Sequence, residues 1–257
     1  MNNNNCLLET IKYYSDWTDA PIELFEKKGT YYIPSKKRTI IQTGYSKKID
    51  IYILLRNELN IVSYNSEIGN NVKVLDAFFH SKVLVEELSE KLKNVFDCSL
   101  SYTKKFYLSG IHSEIDTSKA VCLRKENYND FLEFFIKSNP ECETDWLEEY
   151  YESFVKNGNC WGMYEDKHLV SATDAPEVPY RKNKIVEIGI TTLEGYKKRG
   201  YAKAVVGAFI EDSIKNNITP IWSCGYDNYA SVNLAKSVGF MPFADVITIS
   251  LVKKDRT

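Results

Sequence analysis

The sequence predicts an α/β chain in two parts, a smaller α/β block over residues 1–115 and a larger one over 118–257. Three observations carry this. Apolar residues alternate at Ile51, Ile53 and Leu55 and again at Val186, Ile188 and Ile190, the period of half-buried strands. Elsewhere they recur at helical spacing, as in Ala202, Val206, Phe209, Ile210 and Ile214. A short polar stretch at 113–118, SEIDTS, separates the two patterns.

In the first block, Ile51–Leu55 and Leu59–Ser63 flank Arg-Asn-Glu and read as a hairpin. Leu84, Leu88, Leu92 and Val95 predict an amphipathic helix over 79–95. The second block opens with a strand at 120–126. A helix follows over 128–138, with Phe131, Phe134 and Phe135 on one side, then a second over 144–157 capped by Thr144. CWGMYED and HLVSATDA are two strands across a turn near Asp166-Lys167, and 184–192 is a third. A helix over 200–215, a strand over 219–225, a helix over 227–239 ending at Gly239 and a strand over 245–252 complete the order.

A hydrophobic content of 44% is enough to fill a core and argues against disorder. The formal net charge of −2 lacks the basic excess of a nucleic-acid binder. No apolar run approaches the roughly 18 residues of a membrane span, and MNNNNCLLET is no signal peptide. The six cysteines are scattered without a CxxC pair, which predicts reduced thiols and a cytoplasmic setting. His80, His112 and His168 lie too far apart in sequence to suggest a metal site, so none is expected.

The segment with chemical content is GYKKRGYA, Gly195–Ala202, where a strand hands over to a helix. Its two glycines have the spacing of a nucleotide P-loop. That loop needs Lys and then Ser or Thr next, but Tyr201 and Ala202 stand there, so the P-loop reading fails. An anion cradle survives. A helix N-terminus presents unpaired N–H groups and partial positive charge, Gly200 admits close approach, and Lys197, Lys198 and Arg199 add cations. A solvated basic turn accounts for this stretch equally well.

Its surroundings shift the balance towards the cradle. EIGITTLEGYKKRGYAKAV, TPIWSC and NYASVNLAKSVGF together resemble the GCN5-related N-acetyltransferases over about residues 118–257. Lys197-x-x-Gly200-x-Ala202 matches that family's pyrophosphate loop, with Lys in the leading position, and Asn228-x-x-Ser231 followed by Gly239-Phe240 matches its downstream block. A narrower likeness is to the branch that includes the zwittermicin A resistance acetyltransferase, where an extra N-terminal segment also precedes the acetyltransferase domain.

The resemblance implies the fold of that family, a mixed central β-sheet flanked by helices, and acetyl-CoA as cosubstrate. The strands at 184–192 and 219–225 would splay to admit the pantetheine arm, which would pair with the backbone of Ile190, Thr191 and Thr192. The pyrophosphate would lie on the N–H groups from about Lys198 through Arg199, Gly200 and Tyr201 to Ala202, with Asn228 and Ser231 contributing to the cofactor site. The reaction implied is acetylation of an amine, most naturally that of a small molecule.

An amine must lose its proton to react, and Glu187, on a central strand, is the candidate base. A structural Glu paired with Lys184 or Arg181 is the competing account. Many relatives place an acid Tyr seven residues after the Asn, where this chain has Ala235; Tyr226, Tyr229 and Tyr201 are the nearby substitutes. The acidic run around Glu148 and Glu149, and Asp174 in the turn between strands, are candidates for holding a cationic acceptor, against a plain solvated helix face. A non-catalytic acyl-CoA-binding module and a protein amine acetyltransferase remain alternatives. A degenerate acetyltransferase half, a lid and a homodimer surface all stay open as roles for residues 1–112.

Overall fold

The computed structural model describes residues 3–79, 85–95, 97–110 and 114–251. The chain runs through helix α1 (Asn3–Thr18), strands β1 (Gly29–Pro34), β2 (Ile51–Arg56) and β3 (Leu59–Tyr64), helices α2 (Asp76–Phe79) and α3 (Val85–Val95), and strand β4 (Cys98–Leu108). It continues through β5 (Val121–Cys122), helices α4 (Tyr128–Ser138) and α5 (Leu147–Val155), and strands β6 (Trp161–Glu165), β7 (His168–Asp174), β8 (Ile185–Glu187) and β9 (Gly189–Thr192). Helix α6 (Tyr201–Lys215), strand β10 (Thr219–Gly225), helix α7 (Tyr229–Ser237) and strand β11 (Phe240–Leu251) close the order. The fold is mixed α/β, with helices flanking mixed sheet, as the sequence predicts.

Contacts group the chain into two compact units, each assembled from three segments. One comprises Met1–Glu9, Tyr107–Trp222 and Tyr229–Met241; the other comprises Thr10–Phe106, Ser223–Asn228 and Pro242–Thr257.

In the latter unit the strand order is β1-β3-β2-β11-β4. The expected hairpin is β2 and β3, antiparallel with Ile53 opposite Val62. Its turn places Asn57 in the left-handed region at φ 53°. The last strand returns to this hairpin, with Ile247 opposite Ile53. Alternation then directs Ile51, Ile53, Val62, Ile247 and Ile249 into one fully buried cluster with Val72, Leu75 and Leu92. Burying such side chains stabilises by about 1.5–3 kcal/mol each, before ordering costs. Of the helix expected over 79–95, α3 provides Val85–Val95; Leu84 lies outside the described residues.

The former unit carries a four-stranded antiparallel sheet of order β5-β6-β7-β9, and β8 runs parallel to β10. β7 is central and buried along almost its whole length, so its polar residues must find partners within the sheet. They do. Thr173 Oγ1 accepts from the Trp161 N–H at 2.8 Å, and Ser171 Oγ lies 2.7 Å from Thr192 Oγ1.

Three local expectations are corrected here. The strand at 120–126 shrinks to Val121–Cys122. The helix expected from Thr144 starts at Leu147 with Trp146 as its N-cap; the Leu147 N–H donates to the Thr144 carbonyl at 3.0 Å, so Thr144 forms the preceding turn. The strand expected over 184–192 is two strands, divided at Ile188.

Candidate active site

The division at Ile188 builds the site. Up to Glu187 the chain pairs with β10, with Ile185 opposite Thr219 and Glu187 opposite Ile221. The Ile188 N–H donates to the Ile221 carbonyl at 3.1 Å, the last contact of this ladder. From Gly189 the chain joins the other sheet, pairing Thr191 with Ala172 and Thr192 with Ser171 on β7. A single run of residues therefore leaves one neighbour for another within a step, and β9 ends as an edge strand. Leu193 donates its N–H to the Val170 carbonyl at 2.9 Å. In an alternating ladder the main-chain groups of Thr191 then face β7, whereas those of Ile190 and Thr192 face the open edge.

Beyond β9 the chain makes a single 3-10 turn at Glu194–Tyr196 and enters the basic loop. Lys198 and Gly200 both take left-handed conformations, at φ 60° and 87°. Gly200 is the N-cap of α6 and offers no side chain to the helix start. The Ala204 N–H reaches the Gly200 carbonyl at 3.1 Å, so the N–H groups of Tyr201, Ala202 and Lys203 have no acceptor within the helix. A β-carbon at Gly200 would meet nothing within 4 Å, so the space beside Gly200 itself is open. Helix α6 is held in place by Val205, packed with Met163 and Val170 and bordered by Ile190, Tyr196 and Tyr201.

The loop's cations are not equivalent. Lys197 pairs with Glu194. Arg199 lies 3.3 Å from Glu165 and 5.2 Å from the centre of the Tyr196 ring. Tyr201 also donates its hydroxyl to Glu165, which holds that phenol above its ordinary range. Lys198 has no ion pair among the described residues. Glu165, at the end of β6, was not singled out from sequence, and nothing in a lone surface glutamate would have marked it.

A second cluster gathers at the other end of β9. Glu187 is half-buried at the end of β8. Asp174, at the end of β7, lies opposite Gly189 and accepts the Tyr150 hydroxyl at 2.9 Å. Burial pushes the Asp174 carboxyl above the usual carboxylate range, the Tyr150 hydrogen bond pulls it back, and the nearby Glu187 charge pushes it up further. The Asp174 carboxylate fills the space a side chain at 189 would need: a β-carbon there would stand 1.6 Å from Asp174 Oδ1. Gly189→Ala is therefore expected to destabilise the chain by about 1–3 kcal/mol, the usual scale of overpacking. Thermal denaturation checks this; an unchanged Tm would mean that Asp174 moves aside freely.

The chain as a whole is similar to known proteins. A family model described as GNAT acetyltransferase matches residues 45–244. The chain belongs to the GNAT acetyltransferase family. A protein of Bacillus subtilis (strain 168) named as an uncharacterized N-acetyltransferase, YdfB, is 26% identical over 161 residues, covering 62% of this chain and 57% of that protein. The chain thus spans little more than half the length of this curated relative. Among solved structures, an acetyltransferase from the GNAT family of Colwellia psychrerythraea matches with a TM-score of 0.50 and 15% identity, over 64% of this chain and 62% of its own. That likeness is one of fold.

Within this GNAT chain the remaining sequence candidates fall in different settings. Tyr226 stacks on Tyr102, ring centres 4.0 Å apart, with Lys104 Nζ 4.0 Å from its own ring centre. Tyr229 is 70% exposed. Asn228 is exposed ahead of α7, and its N–H donates to the Gly225 carbonyl at 3.1 Å. Ser231 Oγ accepts from the Trp222 indole at 3.0 Å, a packing role that the motif did not suggest. Ala235 is fully buried on α7. Glu148 and Glu149 are exposed in the first turn of α5, and Glu149 borders a 540 Å³ depression shared with Arg124, Lys125, Glu152 and Lys156. Among the described residues no cluster of His, Cys, Asp and Glu could hold a metal, and no helix is long and apolar enough to cross a membrane.

Proposed function

We propose that this chain transfers the acetyl group of acetyl-CoA to a primary amine of a small molecule. The observation that carries the reading is the parting of β9 from β10 at Ile188, followed after one turn and the basic loop by a helix that starts on a bare glycine. Both halves fit the cosubstrate. The open edge at Ile190 and Thr192 suits the amides of a pantetheine arm. The unpaired N–H groups of Tyr201, Ala202 and Lys203 suit a pyrophosphate, with Lys198 the cation free to join them and Arg199 partly committed to Glu165. When bound, acetyl-CoA supplies an acyl group activated as a thioester.

The chain's own residues do the rest. Glu187 takes the proton that the acceptor amine must lose. The proposed machinery falls within residues 118–257; the general acid stays unassigned because position 235 holds a buried alanine. That alanine favours a second reading, a module that binds acyl-CoA without turning it over. A panel of amines assayed for release of free CoA thiol separates the two: release with any amine supports the transferase, and tight CoA binding with no release supports the module.

For the acceptor we propose a cationic amine drawn by the acidic start of α5. An antibiotic amine, the class implied by the narrower zwittermicin likeness, is one such compound. Glu148→Gln and Glu149→Gln are expected to raise the KM of a cationic acceptor about two- to fivefold, the weight of a screened surface charge, and to leave acetyl-CoA affinity alone. An unchanged KM in both variants would remove α5 from the acceptor site.

A further inference from the structure

The loop that follows β1 reverses the usual placement of polar and apolar side chains. Arg38 and Gln42 lie inside, whereas Ile40 and Ile41 lie outside. Arg38 is fully buried, with its guanidinium 4.9 Å from the centre of the Trp17 ring and 5.6 Å from that of Tyr52. Its Nη2 donates to the Trp17 carbonyl at 3.1 Å. Gln42 Nε2 donates to the Lys37 carbonyl at 2.7 Å, which pinches the loop at its base. Between these anchors Ile40 and Ile41 are each 59% exposed. Tyr45 follows, partly exposed, with its ring centre 5.4 Å from that of Trp17. A single exposed apolar residue is ordinary; a neighbouring pair held out in water by buried polar anchors is not.

The flanks of this tip are basic. From residue 27 to residue 49 the chain carries seven Lys and Arg and no Asp or Glu. Carboxylates from elsewhere meet some of that charge: Lys28 pairs with Glu58, Lys37 with Asp19 and Lys48 with Asp50. Lys36 and Lys47, one on each side of the tip in sequence, are exposed and have no ion pair among the described residues. An apolar tip between free cations complements a layer that is anionic at its face and apolar beneath.

We propose that residues 36–48 dock this chain on a lipid surface that carries anionic headgroups. Ile40 and Ile41 enter the boundary between headgroups and acyl chains, and Tyr45 sits at headgroup level, where amphipathic rings are favoured. Lys36 and Lys47 meet the headgroup phosphates. Docking of this kind needs no helix that spans the layer. A second copy of the chain fits the tip less well, because a two-fold contact there would bring two basic loops together. A folded partner would need a hollow shaped to the isoleucine pair, whereas a fluid layer needs no matching shape. The proposal is independent of the acetyl-transfer reading.

The test is cosedimentation of the intact chain with vesicles of phosphatidylcholine alone and of equal parts phosphatidylcholine and phosphatidylglycerol. Binding is expected to the mixed vesicles only, and to weaken as salt rises. Ile40→Ser combined with Ile41→Ser should weaken it at least about tenfold, and Lys36→Gln combined with Lys47→Gln about fivefold per lysine. All four side chains are exposed, so both double variants should keep the wild-type Tm, which separates lost docking from lost fold. The lysine pair carries the test alone if the isoleucine pair lowers the Tm. Failure of the intact chain to bind mixed vesicles overturns the proposal, as does equal binding to both vesicle types or binding that survives both double variants. A dimer in sedimentation equilibrium that the isoleucine pair dissolves would give the tip to a second copy and overturn it as well.

Discussion

Gly200→Glu is expected to weaken acetyl-CoA binding at least about a hundredfold, a loss of about 2.7 kcal/mol. Two effects add. At φ 87° a residue with a β-carbon is strained by about 1–2 kcal/mol, and relieving that strain would unwind the start of α6. A carboxylate at the same place would also occupy the N–H groups of Tyr201 to Lys203 and repel the pyrophosphate, reversing an attraction of about 0.3–1 kcal/mol per charge, or about 2 in partly buried settings. Gly200→Ala separates the two. Its β-carbon meets nothing within 4 Å, so it should cost about 1 kcal/mol of stability and change affinity by less than about threefold. Calorimetry with acetyl-CoA and thermal denaturation measure each part. Wild-type affinity in Gly200→Glu would rule out a cofactor cradle on α6.

Glu187→Gln is expected to lower kcat/KM for a reactive amine about 10²–10⁴-fold, the range that positioned proton transfer contributes. The amide keeps the shape and the hydrogen-bonding reach of the side chain but cannot accept the proton. Glu187 lies on the last paired stretch of β8, opposite Ile221, so the substitution leaves the β8–β10 ladder intact. Acetyl-CoA affinity should stay within about twofold of wild type, since the proposed cofactor contacts are main-chain groups further along the chain. Unimpaired turnover would move the base elsewhere; equal losses of binding and turnover would mean that Glu187 supports the cofactor site.

Much of the larger block was legible from pattern alone. Helix α4 begins at Tyr128 and ends at Ser138 as its phenylalanine stripe indicates, and β10 occupies Thr219–Gly225 as expected. Alternation could not show the break at Ile188, because β8 and β9 continue one period of two while changing partners, and partner choice leaves no mark on the period. The pairing of the last strand with β2 was hidden for the same reason. Helix α1 was missed because its polar start reads as a tail; Tyr13, Tyr14 and Trp17, all buried, were the available signal. At the site, the glycine loop was readable because its conformation demands a residue type. Asp174 and Gly189 meet through strand register, and Tyr150 reaches Asp174 from helix α5; a single sequence gives neither.

The return of β11 to β2 bears on how this chain can be taken apart. A fragment ending near residue 115 would retain the β2–β3 hairpin but lose Ile247 and Ile249, which complete its apolar cluster. The flank of β2 that β11 covers would be left as a bare row of amide and carbonyl groups beside exposed isoleucines, an invitation to self-association. Two polypeptides supplied together, split at an exposed turn, would respect the architecture better than either half expressed alone.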